Sequence, residues 1–306
     1  MLGKVLILVD EEKDWLSQKM KETGLVDIAQ VYRKITYAQK RLRTLHYHTS
    51  LPKTCWYGTW QHQVADYDTV ILFDVFLDSD VAEYIEKAAP RARLIVFYRN
   101  PWYNNYYVKG EARKKCEIWS FDQDDCQKYG LKFNHQFYFY AAADQPVDTA
   151  YASDLFFVGK DKERLPLLRK MQDELTKDGV NVRMYVVGER KKYTPEEQAF
   201  LHKEHLSYPE VLKYNKNTNC LLELMQENQA GFTLRTVEAM FFNKKLVTNN
   251  PYLARCSFYH PRNIYVLGRD PRSLTDFLLK EPAAAWNPQV VESYSFEHWL
   301  KNFEKD

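Results

Sequence analysis

The sequence predicts an α/β protein of two Rossmann-like parallel-sheet domains facing across a cleft. Three observations predict it. Short, continuously apolar runs alternate with helical stretches, and such runs read as strands buried on both faces of a parallel sheet. The alternation breaks once, in the stretch AAADQPVD from Ala141 to Asp148, and then restarts. The 306 residues suffice for two hydrophobic cores, at roughly 150 residues per domain. The expected domains are residues 1–148 and 149–306, with the last helix, about 293–306, a candidate to pack back on the first.

In the first half, Lys4–Val9 reads as a buried strand ending in Asp10, followed by a helix from about Glu12 to Glu22 and a strand from Val26 to Val31. A basic helix follows, from Thr36 to Tyr47, and Thr69–Phe73 is the next buried strand. A helix over Asp80–Ala89, a strand over Leu94–Tyr98, a short strand over Glu117–Ser120 and a helix over Asp122–Lys128 complete the domain. After the break, strands are expected at Asp154–Val158, Val182–Val187, Cys220–Leu224, Lys245–Thr248 and Ile264–Leu267. Helices are expected at Glu163–Lys177, Tyr208–Tyr214, Thr233–Phe242, Pro271–Leu279 and Phe296–Phe303. Ligands of open parallel sheets bind at the carboxyl ends of the strands. Two such sheets facing each other bring two ligands together, which suits group transfer.

Composition narrows the class. A hydrophobic share of 45% with 27% charged residues fits a globular chain,. A net charge of only +2 gives no electrostatic footprint for nucleic acid,. The charge is unevenly spread: residues 28–65 contain no acid but carry Arg33, Lys34, Lys40, Arg41, Arg43 and Lys53. The five cysteines are an odd number with no CxxC spacing, against both a disulfide framework and a zinc site. This usage fits a reducing, cytoplasmic compartment. The opening MLGKVLILVDEE has too short an apolar run for a leader or a membrane span,. The 22 tyrosines and seven tryptophans suit sugar faces or a membrane interface, and equally fill cores.

The segment CLLELMQENQAGFTLRTVEAMFFNKKLVTNN, from Cys220 to Asn250, is the most informative. It reads strand, loop, helix, strand. The loop delivers the chain to a helix N-terminus near Thr233, where free N–H groups and the helix dipole favour an anion. Gly231 permits close backbone approach to a phosphate. Arg235 and Glu238, three apart, share a helix face as either a site pair or a surface ion pair. After the Asp154–Val158 strand, Gly159, Lys160, Lys162 and Arg164 offer cations to a diphosphate, or form a solvated turn with Asp161 as a helix cap.

This segment resembles the donor-binding core of GT-B glycosyltransferases. It is similar in particular to the short bacterial transferases of surface-polysaccharide gene clusters, which have a Q-x-G-x-T-L-R loop, here Gln229 to Arg235. The resemblance runs from about Asp154 to Asn250 and includes FFVGKDKERLPLL. It implies that Glu238 binds the donor ribose and that Gln229, Gly231, Phe232 and Thr233 form the diphosphate loop. Gly188 and Tyr208 are the implied neighbours of the base. It further implies a nucleoside diphosphate sugar donor, a glycan or lipid-linked glycan acceptor, and no need for a cofactor or bound metal. One departure is visible: the larger retaining subgroup has a second glutamate eight residues before the first, and Ala230 stands there.

An inverting transfer needs a base for the acceptor hydroxyl. Asp10 and Asp74, each directly after a buried strand, are rival candidates, and either can instead cap the following helix. Asp122–Asp125 has the look of metal carboxylates but the position of a helix start. In the basic segment, Ala38, Leu42 and Leu45 form a narrow apolar stripe. With Lys40, Arg41 and Arg43, and with Trp56 and Trp60 close by, this stretch either docks on anionic lipid or packs its stripe on the sheet. The expectation is therefore a metal-independent, hexosyltransferase-like enzyme, cytoplasmic and peripheral on the inner face of the plasma membrane. The alternative is a catalytically silent GT-B-like protein that binds nucleotide sugar or a partner transferase. The absence of G-x-G-x-x-G after Lys4–Val9 speaks against a dinucleotide-dependent epimerase or dehydrogenase.

Overall fold

The computed structural model describes residues 1–73, 79–100, 115–226 and 231–304. The chain divides into two compact units, Met1–His135 with Leu300–Asp306, and Gln136–Trp299. Each is an α/β unit around one six-stranded parallel sheet.

In the first unit the strands are β1 (Val5–Val9), β2 (Asp27–Gln30), β3 (Thr69–Phe73), β4 (Arg93–Tyr98), β5 (Glu117–Ser120) and β6 (Lys132–Phe133). Their order is β2-β1-β3-β4-β5-β6. Every residue of β1 and β3 is buried, as continuous apolar runs require. The helices are α1 (Trp15–Glu22), α2 (Tyr37–Tyr47), α3 (Ser79–Ala88) and α4 (Gln123–Tyr129). Asp14 starts α1 by accepting the Ser17 N–H at 2.6 Å. Asp122 starts α4, accepting from Asp124 and Asp125 at 3.0 and 3.2 Å, so the acidic run is a helix cap. Among the described residues no group of three or more His, Cys, Asp or Glu is placed to hold a metal ion.

The basic segment departs from expectation. Trp56 and Trp60, expected at a membrane surface, are buried at 4% and 3% exposure. The chain after α2 folds back in 3₁₀ turns that seat both indoles in the core. Trp60 donates to the Val31 carbonyl at 2.8 Å and stacks on Tyr57, while Trp56 donates to His46 Nδ1 at 2.9 Å. The stripe of α2 does not pack on the sheet: Leu42 and Leu45 are exposed and no residue of α2 is buried. Lys40 and Arg41 are exposed, and Arg43 lies over the Tyr32 ring at 4.8 Å.

In the second unit the elements run β7 (Leu155–Lys160), α5 (Leu165–Lys177), β8 (Val182–Val187), α6 (Pro195–Phe200), β9 (Leu201–His202), α7 (Tyr208–Asn217), β10 (Cys220–Glu223), α8 (Leu234–Phe241), β11 (Lys245–Thr248), β12 (Ile264–Val266), α9 (Leu274–Leu279) and α10 (Pro288–Ser293). A last helix, α11 (Phe296–Asn302), leaves this unit at Leu300. The strand order is β12-β11-β10-β7-β8-β9. Counted within the unit this is 3-2-1-4-5-6, the dinucleotide-fold order, with its switch point between β7 and β10. Helix α5 buries Leu165, Leu168, Met171 and Leu175 on one stripe,. Helix α8 is buried from Thr236 to Phe241.

The unit boundary falls at His135/Gln136, earlier than the expected 148/149. The intervening aromatic stretch belongs to the second unit's core. The Phe137 and Phe139 rings lie 5.1 and 5.5 Å from Phe296, and the Tyr138 N–H donates to Tyr294 O at 2.9 Å. Among the described residues no helix is long and apolar enough to cross a membrane.

Candidate functional site

A cleft of about 280 Å³ opens at the β7/β10 switch point of the second unit. Phe157 and Val158 of β7 and Leu222 and Glu223 of β10 line it. The loops after those strands contribute Lys162, Arg164 and Gln226. The start of α8 gives Thr233 and Arg235, and Glu238 and Tyr208 complete the lining.

Glu238 is 2% exposed and held at both oxygens. Tyr208 donates to its Oε1 at 2.6 Å, and the Tyr138 hydroxyl lies 3.2 Å from the same oxygen and 2.7 Å from the Tyr208 hydroxyl. Tyr138 has one proton, and the shorter contact makes Tyr208 its better acceptor. The chain of donation then runs from Tyr138 to Tyr208 to Glu238. Burial, and next the charge of Glu238, push both phenols well above the usual tyrosine range. On the other side, Arg235 Nη1 pairs with Glu238 Oε2 at 2.6 Å and donates to Asn215 Oδ1 at 3.1 Å. Asn215 is fully buried and its Nδ2 has no partner among the described residues. The carboxylate therefore keeps only one or two free lone pairs of about four. A ribose offering two hydroxyls can take those or displace Tyr208.

Glu223, which the sequence did not single out, is the second buried carboxylate of the cleft wall. Thr248 donates to its Oε2 at 2.5 Å, and Thr236 to Oε1 at 2.8 Å, joined there by the Thr233 hydroxyl. This ties β10 to β11 and to the first turn of α8. Thr233 also accepts the Arg235 N–H at 3.1 Å, so part of the helix N-terminus is already capped.

The lining also carries the cations Lys162 and Arg164. Arg164 is fixed by backbone: Nη1 donates to Leu224 O at 2.6 Å, Nη2 to Lys160 O at 2.5 Å and Nε to Asp161 O at 3.2 Å. Gly159 makes room for it, since a Cβ there would stand 3.2 Å from Arg164 Nη2. Lys162 donates to Gln226 at 3.2 Å. Burial of its ammonium end, then the charges of Arg164 and Lys160, hold its pKa below the usual lysine range. Lys162 and Glu163 both adopt left-handed backbone, φ 43° and 64°, each costing about 1–3 kcal/mol in a non-glycine residue. Asp161, fully buried, accepts from Leu165 N–H, Tyr193 and Lys191 and anchors this strained loop.

Of the residues singled out from sequence, the cleft gathers Lys162, Arg164, Tyr208, Thr233, Arg235 and Glu238. Lys160, Gly188, Gly231 and Phe232 are not in its lining. Gly188 faces Tyr193 and Leu201, where a Cβ would meet them at 3.3 and 3.2 Å. The Phe232 ring packs against Tyr252 and Phe258 at 5.7 and 5.3 Å, leaving only its backbone for a ligand. Asp10 is exposed at the carboxyl end of β1, the strand between β2 and β3. Asp74 and Gln229 lie outside the described residues.

No protein-family model and no curated protein matches the chain. Among solved structures it is similar to the glycotransferase of kitacinnamycin, at 11% identity over 99% of this chain and 96% of that one, with a TM-score of 0.43. It is also similar to D-lactate dehydrogenase from Escherichia coli, at 13% identity over 99% and 97% of the two chains, TM-score 0.25. A third is NAD+-bound 3-phosphoglycerate dehydrogenase from Entamoeba histolytica, at 11% identity over 81% and 80%, TM-score 0.25. At these scores the likenesses assign no activity; the α/β architecture rests on the strand order itself.

Proposed function

We propose that the second unit binds a nucleoside diphosphate sugar and that the protein transfers the sugar to a glycan acceptor. The supporting observation is the lining of the switch-point cleft, which brings the cations Lys162 and Arg164 into one cavity with the carboxylate Glu238. A nucleotide sugar has matching groups: the diphosphate meets the cations, and ribose hydroxyls donate to Glu238. The resemblance of the Gln229–Arg235 loop supports the finer reading, a lipid-linked acceptor in bacterial surface-polysaccharide synthesis at the cytoplasmic face of the membrane. Asp10 and Asp74 are the base candidates. The reaction then breaks the bond from the anomeric carbon to the diphosphate and joins that carbon to the acceptor oxygen, whose proton passes to the base.

A silent nucleotide-sugar binder is the second reading, because Ala230 stands where the larger retaining subgroup has its second glutamate. Isothermal titration with a panel of nucleoside diphosphate sugars tests binding. Glu238→Gln should weaken the best donor about 10- to 100-fold, because a charge-assisted bond is worth roughly 1.5–3 kcal/mol. Equal dissociation constants in a folded variant would overturn the ribose assignment. Release of nucleoside diphosphate without acceptor then separates an enzyme from a silent binder.

A further inference from the structure

We propose that α2 docks the protein on an anionic lipid surface, with Leu42 and Leu45 entering the headgroup layer and Arg41 meeting lipid phosphates. This rests on the first unit alone and uses nothing of the donor site. Among the described residues, helix α2 is held from one side. Tyr47 packs on the core cluster, His46 accepts from Trp56 at 2.9 Å, and the Arg43 guanidinium lies over Tyr32. At about 100° per residue, these three positions share one half of the helix circumference. Ala38, Leu45 and Leu42 fall within about 60° of arc on the other half, with Arg41 about 40° beyond.

The exposures match that geometry. Leu42 is 58% exposed and Leu45 68%, and Leu51 in the turn beyond the helix is 61% exposed. A capping box, Thr36 with Gln39, keeps the helix formed without a partner on that face,.

Charge chooses the occupant. Arg41 and the exposed Arg33 and Lys34 stand in a segment, residues 28–65, with no acid of its own, while Asp80 and Glu83 of α3 share a pocket with Leu51 beyond the helix. Apolar side chains beside basic ones on a single convex helix fit a layer with anionic heads and an apolar interior. A nucleic-acid backbone satisfies the cations and gives the leucines nothing to enter.

Co-sedimentation with vesicles tests this, using equimolar phosphatidylglycerol and phosphatidylcholine against phosphatidylcholine alone, at low and high salt. Wild type should pellet with the anionic vesicles at low salt and stay in solution with the neutral ones. Leu42→Ser with Leu45→Ser should cut the partition coefficient about tenfold or more, and separately Arg41→Gln should cut it about fivefold. All three side chains are exposed, so circular dichroism should be unchanged. Wild type remaining in solution overturns the proposal. So does undiminished pelleting of the leucine variant, which marks a surface for polyanions or acidic proteins. Self-association without lipid that is lost in the leucine variant assigns the face to a second copy of the chain, and equally overturns it.

Discussion

Tyr208 holds Glu238 Oε1 at 2.6 Å while Arg235 holds Oε2 at the same distance. The carboxylate is thus oriented before any ligand arrives, by a neutral donor on one side and a cation on the other. Tyr208→Phe removes one hydrogen bond to a charged acceptor, a contact worth roughly 1.5–3 kcal/mol. Urea denaturation should show a loss of that order with an unchanged m-value. Donor affinity should not fall, because Oε1 regains a lone pair. A variant as stable as wild type would show that the tyrosine contributes nothing to the fold.

Glu223 on β10 joins two threonines at the start of α8 and one on β11. Glu223→Ala leaves those hydroxyls without their acceptor and opens a void. The expected cost is about 2–4 kcal/mol, read as a lower urea midpoint. Amide exchange should speed up in the first turn of α8 before it does in β7. Uniform acceleration across the unit would contradict this local role.

Lys245 is buried in β11 with its ammonium on three carbonyls, Phe277 at 2.6 Å, Leu278 at 2.9 Å and Glu281 at 3.0 Å. It closes the carboxyl end of α9, where a cation also meets the helix dipole. Burial holds its pKa below the usual lysine range. Lys245→Met keeps the stem and abandons three acceptors, at an expected cost of about 2–4 kcal/mol. Unchanged thermal stability and unchanged exchange in α9 would refute it.

Asp161 gives a pH signature. Burial alone would raise its carboxyl, but Lys191 at 2.6 Å, the Leu165 N–H and the Tyr193 hydroxyl outweigh that and hold it below the usual range. The folded state therefore releases this proton more readily than the unfolded chain. Its stabilisation is complete above the unfolded value of about 3.9 and drains away as pH falls through the lower folded value. Urea titrations across that acid range should find wild type losing stability faster than Asp161→Asn. Parallel curves would show that the carboxylate has no such role.

Much of the fold was legible because buried parallel strands leave continuous apolar runs such as VLILV and TVILF, and because the pattern restarts after a polar break. The two-residue strands β6 and β9 and the six-residue helices α6 and α10 have too few residues for any periodicity to register. Burial of Trp56 and Trp60 was hidden for a different reason. An indole beside basic residues has the same composition whether it faces lipid or core, and only the 3₁₀ turns decide. At the cleft, Glu238, Arg235 and Lys162 lie on a readable strand–loop–helix framework. Tyr138 does not, since it reaches Glu238 from a hundred positions away. Glu223 did carry a signal, a lone acid inside the apolar strand CLLEL, because a buried carboxylate requires several donors.

The return of the chain to the first unit at Leu300 bears on the order of folding during synthesis. The Phe303 ring meets Trp119 at 4.8 Å and Phe97 at 6.2 Å, its carbonyl takes Arg93 Nη1, and Glu304 accepts the Leu2 N–H at 3.0 Å. These residues are translated only after the entire second unit. A nascent chain holding just residues 1–135 must therefore wait with the Phe97 and Trp119 rings uncovered, while the second unit can close on its own. The unit made first is completed last, and its aromatic edge is where a chaperone or an aggregation contact would find the unfinished protein.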